Sequence, residues 1–333
     1  MVIIITGELI KVESVDICEV KGIKIGHYEN LDAATGCTVI ICDEGATAGV
    51  DVRGGAPGTR ETDLLNPVNL VDKIHAVILA GGSAFGLDAA TGIMGYLEEN
   101  GKGFDVGVTK VPIVCGAVLF DLLIGNYKIR PDKKWGYSAS VNASENENRQ
   151  GNVGAGAGAT VGKFFGMSRA VKGGLGTACL KSGKLTVAAV IAVNCYGSVV
   201  DPESGKIIGG PLNEKESGFL DTGELIINSN ETVHNAFREN TTIGAVLTNA
   251  TLTKSQANKL ASVAQNGLAR TIIPAHSMFD GDTIFTMATG ECDSDLNTVG
   301  LLATKTVEKA VTNAIKKAAP LHGIRAYSDF FHC

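Results

Sequence analysis

The chain has 333 residues, of which 44% are hydrophobic and 19% charged, so it can bury a large core as one big domain or two ordinary ones. The net charge of -6 and the pI near 5.6 argue against a nucleic acid or an anionic membrane as partner, because those surfaces require clustered lysine and arginine. Small or neutral substrates fit this charge balance better.

The cysteines and the N-terminal residues indicate the cellular compartment of the protein. The eight cysteines form no C-x-x-C pair, and several lie in apolar runs where a free thiol packs as a small hydrophobe. The opening "MVIIITGEL" lacks the basic start and the small-residue cleavage site of a secretory signal. No apolar stretch reaches membrane-spanning length. These features predict reduced thiols and a cytoplasmic protein.

Short apolar runs alternate with helical patterns along the chain, which indicates an α/β architecture. The runs predicted as buried strands are 37–43, 75–80, 184–194, 242–249 and 283–289.

Two helices are predicted in the second half of the chain. In "TLTKSQANKLASVAQNGLAR", Thr253 and Gln256 have the spacing of a capping box. In "TKTVEKAVTNAIKKAA", apolar residues recur at helical spacing with lysines on the opposite face. Both helices are expected to pack on a sheet.

Two glycine-rich segments in the first hundred residues imitate catalytic motifs. "VRGGAPGTRE" lacks the G-x-G-x-x-G pattern of a dinucleotide-binding loop, and we interpret it as a structural turn. "GGSAFG" has Phe85 where a nucleophile elbow needs glycine. Ser83 is therefore predicted to be a helix N-cap and not a nucleophile.

A third glycine-rich segment, "GATVGKFF", contains Lys163 and imitates a phosphate-binding loop. Such a loop needs glycine at position 157 and a hydroxyl residue after the lysine, but the chain has Ala157 and Phe164. The six histidines show no metal-binding spacing. We therefore predict neither a cofactor nor a metal.

Asp280 and Asp282, in "FDGDTIF", flank a glycine immediately before a predicted strand. Half of a calcium loop would look similar, but the twelve-residue pattern is not completed. Local sequence favours a turn that leads into the strand.

Asn240 and Thr241, in "ENTTIGAVLTN", stand where a polar triplet meets a buried strand. Threonine at a strand start is ordinarily a β-former or a cap. If the Asn240–Thr241 bond is cut, however, Thr241 acquires a free α-amine that can act as base for its own hydroxyl. The reference pKa of an α-amine, near 8, suits proton transfer at neutral pH.

Several long motifs, read together and in order, resemble the DmpA-type aminopeptidase family, which also contains the nylon-oligomer hydrolases. The resemblance runs from about residue 20 to about residue 320. The motifs are "GCTVIICDEGATAGVDVRGGAPGTRETDLL", "VILAGGSAFGLDAATG", "GNVGAGAGATVGK", "NTTIGAVLTNA" and "FDGDTIFTMATG".

Membership of that family implies an α/β fold in the form of a four-layer αββα sandwich. It resembles the N-terminal-nucleophile hydrolases but has different strand connectivity. The family also implies a single-domain precursor, residues 1–333, that cleaves itself at Asn240–Thr241 into associated chains 1–240 and 241–333. A homo-oligomer, a tetramer, is implied as well.

The family's site residues carry over onto this sequence one by one. Thr241 matches the nucleophile, which is serine in the family's serine-bearing aminopeptidases and threonine after asparagine in the nylon-oligomer hydrolases. Asn194, in "IAVNCYG", matches the oxyanion-hole asparagine, whose amide N–H would bind the developing alkoxide. Lys163 matches the lysine beside the nucleophile. Asp280 and Asp282 match the pair that positions the new α-amine.

One matched position, Lys163, has two interpretations, and one position, Phe120, departs from the family pattern. A cationic Lys163 near the α-amine would lower the pKa of that amine, whereas a surface lysine would have no effect; we favour the first interpretation. Phe120 stands where the nylon-hydrolase branch has a tyrosine, so any hydrogen bond from that hydroxyl is absent and substrate preference is open.

The resemblance implies a hydrolase that cleaves a small peptide, amide or ester through an acyl-enzyme on Thr241. The alternatives are an acyltransferase, since ornithine acetyltransferase has a similar fold and a threonine nucleophile, and a non-catalytic binding protein. The sequence does not distinguish α-, β- or D-amino acid substrates from polyamide oligomers.

Overall fold

The computed structural model describes residues 11–229 and 240–331, which form a mixed α/β fold. The helices of these residues are α1 (Ala89–Glu99), α2 (Lys133–Val141), α3 (Thr222–Asn228), α4 (Lys254–Thr271) and α5 (Leu296–Lys316). The strands are β1 (Val12–Val15), β2 (Lys24–Asn30), β3 (Thr35–Val52), β4 (Thr59–Arg60), β5 (Lys73–Ala80), β6 (Phe104–Asp105), β7 (Lys110–Val111), β8 (Val114–Val118), β9 (Thr160–Val161), β10 (Val171–Lys172), β11 (Gly174–Ser182), β12 (Leu185–Asn194), β13 (Ser198–Val200), β14 (Ile207–Gly209), β15 (Thr241–Ala250), β16 (Ile272–Ile273) and β17 (Thr283–Cys292).

The main sheet is a single hydrogen-bonded ladder in the order β1-β11-β12-β15-β17-β3-β5-β8-β4, with β2 paired to β3. The 18-residue strand β3 belongs to both halves of this ladder. Its end, Thr47–Val52, pairs with β17, and its beginning, Thr35–Ile41, pairs with β2. The register against β5 shifts between Ile41 and Ala46, so the strand changes direction where it passes from one half to the other.

Side-chain alternation along the strands produces three buried cores. On β12, Ile191 and its alternate neighbours pack with α4 and α5, whereas Val190 and its neighbours face residues of the other half of the sheet. The outer face of that other half packs on α1 and α2. Helix, sheet, sheet and helix therefore follow one another, and the predicted αββα sandwich is confirmed.

The predicted helices and strands are present, with adjusted boundaries. The capping box of Thr253 and Gln256 opens α4. The predicted helix 304–319 belongs to α5, which begins earlier, where the Asp295 side chain accepts the N–H of Thr298. The predicted strand 37–43 continues to Val52, because the polar residues after Cys42 form the irregularity in β3 and not its end.

Ser83 is not the helix N-cap that the sequence predicted. It is the first residue of the 3-10 helix Ser83–Asp88. The N-cap is the preceding residue, Gly82, and no side chain caps this helix. Its φ is 55°, and its N–H donates to the Leu119 carbonyl at 3.0 Å. Ser83 thus lies inside a tight left-handed turn that the local pattern does not reveal.

The seven cysteines placed in residues 11–229 and 240–331 are all free thiols. No helix in these two ranges is long and apolar enough to cross a membrane.

Lys172, in β10, is buried without any exposed surface, and its ammonium nitrogen holds the glycine-rich turn before β9. Its Nζ donates to the Ala157 and Ala159 carbonyls at 3.0 and 2.6 Å. Burial lowers the pKa of Lys172 from 10.5 to about 7, against the opposing effect of Asp121 and with a small contribution from Lys163. The neutral amine is therefore favoured in the folded chain above neutral pH.

We expect this burial to make the protein more stable in mild alkali. A lysine whose pKa is lower in the folded state than in the unfolded state destabilises the folded protein, because it resists the proton that it binds when unfolded. This destabilisation is complete below the folded-state pKa and disappears as the pH rises toward the unfolded-state pKa. From pH 7 to 9 the free energy of unfolding should rise by on the order of 2 kcal/mol for such a lysine. Chemical denaturation of Lys172→Met should show a smaller rise than the wild type. An equal rise in the free energy of unfolding in the two proteins would contradict a lowered pKa of Lys172.

Candidate active site

Thr241 is the first residue of the central strand β15, and its side chain lies against the carbonyl of the residue before it. Only 5% of Thr241 is exposed, and its Oγ1 donates a hydrogen bond to the Asn240 carbonyl oxygen at 2.5 Å. Asn240 pairs with Asp280 in a parallel bridge. Glu239, at the start of the quoted motif, lies outside the described residues. The hydroxyl and the peptide carbonyl beside it are thus held in contact.

Asn194 ends β12 directly opposite Thr241 in the antiparallel pairing of β12 and β15. Its amide oxygen accepts hydrogen bonds from the Lys163 ammonium nitrogen at 2.9 Å and from the Thr160 N–H at 3.0 Å. Its amide nitrogen donates to the Phe120 carbonyl at 2.9 Å. The orientation of the amide is therefore fixed by donors on one side and an acceptor on the other, and one N–H of the amide nitrogen remains for another acceptor.

Lys163 is 3% exposed, so the surface alternative considered for it is wrong. Its Nζ donates to both the backbone and the side-chain oxygen of Asn194, each at 2.9 Å. Burial is the main reason that the pKa of Lys163 falls from 10.5 to about 7, with opposing effects from Cys195, Asp280 and Asp121. About half of the lysine is thus neutral near pH 7, which departs from the purely cationic role expected from the sequence. A neutral Lys163 amine donates its two hydrogens to the two oxygens of Asn194. Its lone pair can then accept a proton from another group.

Asp280 lies in the turn before β17 and is 1% exposed. Its Oδ2 accepts the Ser277 N–H at 2.8 Å, whereas its buried Oδ1 has no hydrogen-bond partner in the described ranges. Burial, and then the negative charge of Asp282, raise the pKa of Asp280 from 3.8 to about 6. The carboxylate oxygen that remains open can accept a new donor at this position.

Asp282 ties the start of β15 to the turn before β17. Its Oδ1 accepts the Thr242 N–H at 2.7 Å. Its Oδ2 accepts the backbone N–H of His276 at 2.9 Å and lies 2.9 Å from the Nδ1 of the same residue. Asp282 thereby fixes the residue next to Thr241. The turn expected before the strand is confirmed.

His276 is a site neighbour that sequence reasoning missed. It has a φ of 58°, and its buried Nε2 has no hydrogen-bond partner within residues 11–229 and 240–331. No motif spacing points to a histidine four residues before Asp280, and only its position in the same turn could have suggested it.

The glycine-rich segment "VRGGAPG" is the structural turn predicted from the sequence, and it supports the aspartate turn. The N–H groups of Arg53 and Ala56 donate to the Asp282 and Asp280 carbonyls at 2.9 and 2.8 Å. A Cβ on Gly54 would lie 2.1 Å from the Asp280 carbonyl oxygen. Only glycine permits this close approach of the two backbones.

Phe120 contributes its backbone carbonyl to the orientation of Asn194 and is one of the residues around a cavity of about 10 Å³ next to Lys163. The other residues around this cavity are Asp121, Leu123, Ile124, Gly158, Thr160, Lys163 and Met167.

The five site residues predicted from the sequence lie in one connected group. Lys163 is bonded to Asn194, Asn194 is paired with Thr241, Asp280 is paired with the residue before Thr241, and Asp282 is bonded to the residue after it. This arrangement combines a hydroxyl, a partly neutral amine, an amide donor and two carboxylates, which are the groups that acyl transfer requires.

Comparison with known proteins identifies relatives over nearly the whole chain. The model of peptidase family S58 matches residues 16–328. An uncharacterised aminopeptidase of Mycobacterium leprae is 40% identical over 347 residues, which cover 95% of this chain and 94% of the relative. A 6-aminohexanoate-oligomer endohydrolase of Kocuria sp. is 32% identical, covering 82% of this chain and 74% of the relative.

Two solved structures share the fold at low sequence identity. The L-aminopeptidase D-Ala-esterase/amidase of Ochrobactrum anthropi, described as a variant of the Ntn hydrolase fold, has a TM-score of 0.67 and 19% identity, with coverage of 91% of this chain and 86% of that one. A beta-aminopeptidase of Burkholderia sp. has a TM-score of 0.67 and 19% identity, with coverage of 96% and 90%.

Proposed function

The chain belongs to peptidase family S58, and on that premise we propose that it is a self-processing N-terminal-threonine hydrolase acting on small peptides, amides or esters. Its family and the names of its relatives make it a hydrolase of the aminopeptidase or amidase type. The observation that carries the finer proposal is the 2.5 Å contact between Thr241 Oγ1 and the Asn240 carbonyl oxygen. It holds the nucleophile beside the bond to be cut.

In the first act, Thr241 Oγ1 attacks the Asn240 carbonyl carbon and its proton passes to the neutral amine of Lys163. The C–O bond forms, the C–N bond to Thr241 breaks, and the leaving nitrogen takes the proton back from Lys163. Water then hydrolyses the resulting ester, which leaves a carboxylate on Asn240 and a free amine and hydroxyl on Thr241. The lone pair of Lys163 supports its role as base here, because the α-amine is still an amide.

In the second act, the free α-amine of Thr241 takes the proton of its own Oγ1 as that oxygen attacks a substrate carbonyl. The leaving amine or alcohol takes the proton, and an acyl-enzyme remains until water attacks it. The second N–H of the Asn194 amide binds the developing oxyanion. The open Oδ1 of Asp280 accepts a hydrogen bond from the α-amine, and Asp282 holds Thr242 and so the direction of the strand.

The cut chains 1–240 and 241–333 are expected to stay associated. The second chain would begin with β15, which pairs with β12 of the first chain, and would include β17, which pairs with β3 of the first chain. Helices α4 and α5 share a buried core with β12. Separation would expose this core to water.

The acyltransferase alternative is not favoured, since the relatives named above are aminopeptidases and oligomer hydrolases. The substrate class that we propose includes α- and β-amino acid amides and short 6-aminohexanoate oligomers, because the names of the relatives and structural neighbours span these chemistries.

Trapping of the acyl-enzyme tests the proposed function. The processed protein would be mixed with an activated ester of a small amino acid, quenched in acid within the first turnovers, and analysed by mass spectrometry. We expect the acyl mass on the peptide that begins with Thr241. Turnover of the ester with the acyl mass on another residue, or on none, would contradict the role of Thr241.

A further inference from the structure

The Asn240 carbonyl, the group that self-cleavage must activate, accepts a backbone hydrogen bond in addition to that of the Thr241 hydroxyl. The N–H of Gly281 donates to this oxygen at 2.8 Å. Gly281 stands between Asp280 and Asp282, so the donor belongs to the same turn that bonds the residue after Thr241.

The two donors differ in what happens to them during attack. As Thr241 Oγ1 moves onto the carbonyl carbon it gives up its proton, so its hydrogen bond to the oxygen is lost while negative charge develops there. The Gly281 N–H stays, at a distance within the range of about 2.7–3.1 Å expected for an oxyanion donor.

The peptide that carries this N–H is clamped before any reaction. The Asp280 carbonyl accepts the N–H of Ala56, the Asp280 side chain accepts the N–H of Ser277, and the Asp282 carbonyl accepts the N–H of Arg53. A donor held in this way needs no reorganisation when charge appears, which is the condition for strong electrostatic stabilisation.

The hydrogen bonds that the Asn194 amide makes in the uncut chain go to groups other than the Asn240 carbonyl. Its nitrogen donates to the Phe120 carbonyl, and its oxygen accepts from Lys163 and Thr160. We propose, on the basis of the function proposed above, that the backbone N–H of Gly281 is the oxyanion donor of self-cleavage, whereas Asn194 serves the later hydrolysis of substrate. Maturation and turnover then use the same nucleophile with different oxyanion donors.

The position also requires glycine for reasons of space. A Cβ on Gly281 would lie 2.8 Å from Thr241 Oγ1 and 2.9 Å from the Ala56 carbonyl oxygen. Gly281→Ala should therefore slow cleavage by displacing the nucleophile. That variant alone does not separate the loss of space from the loss of the hydrogen bond.

Replacement of Gly281 by glycolic acid, introduced by nonsense suppression in cell-free synthesis, exchanges the N–H for an ester oxygen without adding a side chain. The rate at which the 241–333 fragment appears would be followed by mass spectrometry, with the fold checked by circular dichroism. We expect a fall of roughly 10²- to 10³-fold. The same replacement at Gly22, in an exposed turn, should leave the rate unchanged. A rate within threefold of wild type at position 281 would overturn the proposal.

Asn194→Ala is the second variant, and it does not depend on how well the ester chain folds. We expect it still to cut itself, because the Asn194 backbone oxygen continues to hold Lys163, and then to hydrolyse substrate roughly 10²- to 10³-fold more slowly. Failure of this variant to mature would contradict the division between the two donors. Failure of the wild type to cut at Asn240–Thr241 would instead contradict the proposed function itself, so the two failures are distinguishable.

Discussion

Thr241→Ala should yield a chain that neither cleaves itself nor hydrolyses amides. The variant lacks the oxygen that we propose attacks Asn240, and without a cut no α-amine would form at position 241. Loss of a nucleophile that acts as a unit with its base costs on the order of 10⁶-fold in kcat. The measurement is the fraction of intact chain in the purified protein together with kcat for a chromogenic amide.

The neighbouring threonine provides a matched control. Thr242 is fully buried, its Oγ1 has no hydrogen-bond partner within the described ranges, and it meets Asp282 through its backbone. Thr242→Val keeps the shape and that backbone bond, so processing and activity should persist. Thr241→Ser should also be processed, because it keeps the hydroxyl. Full amidase activity in Thr241→Ala would contradict the mechanism.

Lys163→Met should arrest the precursor. The variant removes the amine that we propose as the acceptor of the Thr241 proton and also removes two hydrogen bonds to Asn194. General-base catalysis contributes about 10²- to 10⁴-fold, so uncut chain should accumulate over hours under conditions in which the wild type is cut. The measurement is the time course of intact chain after synthesis.

The pH dependence of wild-type maturation follows from the same residue. Because the pKa of Lys163 is about 7, the amine is protonated below that pH, and the rate should fall about tenfold per pH unit there. Above about pH 8 the rate should level off. A maturation rate independent of pH between 5 and 8 would exclude Lys163 as the base.

Lys172→Met is the control for Lys163→Met. Lys172 is also buried, with its pKa lowered to about 7, and it also donates to two oxygens, but both are carbonyls of the glycine-rich turn. The Lys172→Met variant should cut itself as the wild type does, although its free energy of unfolding changes. Equal arrest in both variants would attribute the effect to loss of a buried lysine and not to proton transfer.

The elements that the sequence predicted well are those whose pattern is local. The capping box at Thr253 depends on residues within one turn, and the five apolar runs are long enough to be buried strands whatever their neighbours. By contrast, the continuation of β3 beyond Cys42 depends on pairing with β17, more than two hundred residues away in sequence. Composition and periodicity contain no information about that pairing.

The site residues were predicted by matching motifs, and the structure added their environment. Lys163 is buried and partly neutral because it packs against Asn194 at the end of β12. No local sequence pattern reveals this contact. His276 and the N–H of Gly281 lie in a turn whose geometry depends on hydrogen bonds from residues 53–56. Backbone donors leave no signal in side-chain identity except the requirement for glycine.

The most direct test of the account is the N-terminal sequence and intact mass of the purified wild-type protein after incubation at neutral pH. We expect a second N-terminus that reads Thr-Thr-Ile-Gly and two masses that correspond to residues 1–240 and 241–333. A single uncut chain after prolonged incubation would contradict self-processing, and Thr241 would then be an ordinary first residue of a buried strand.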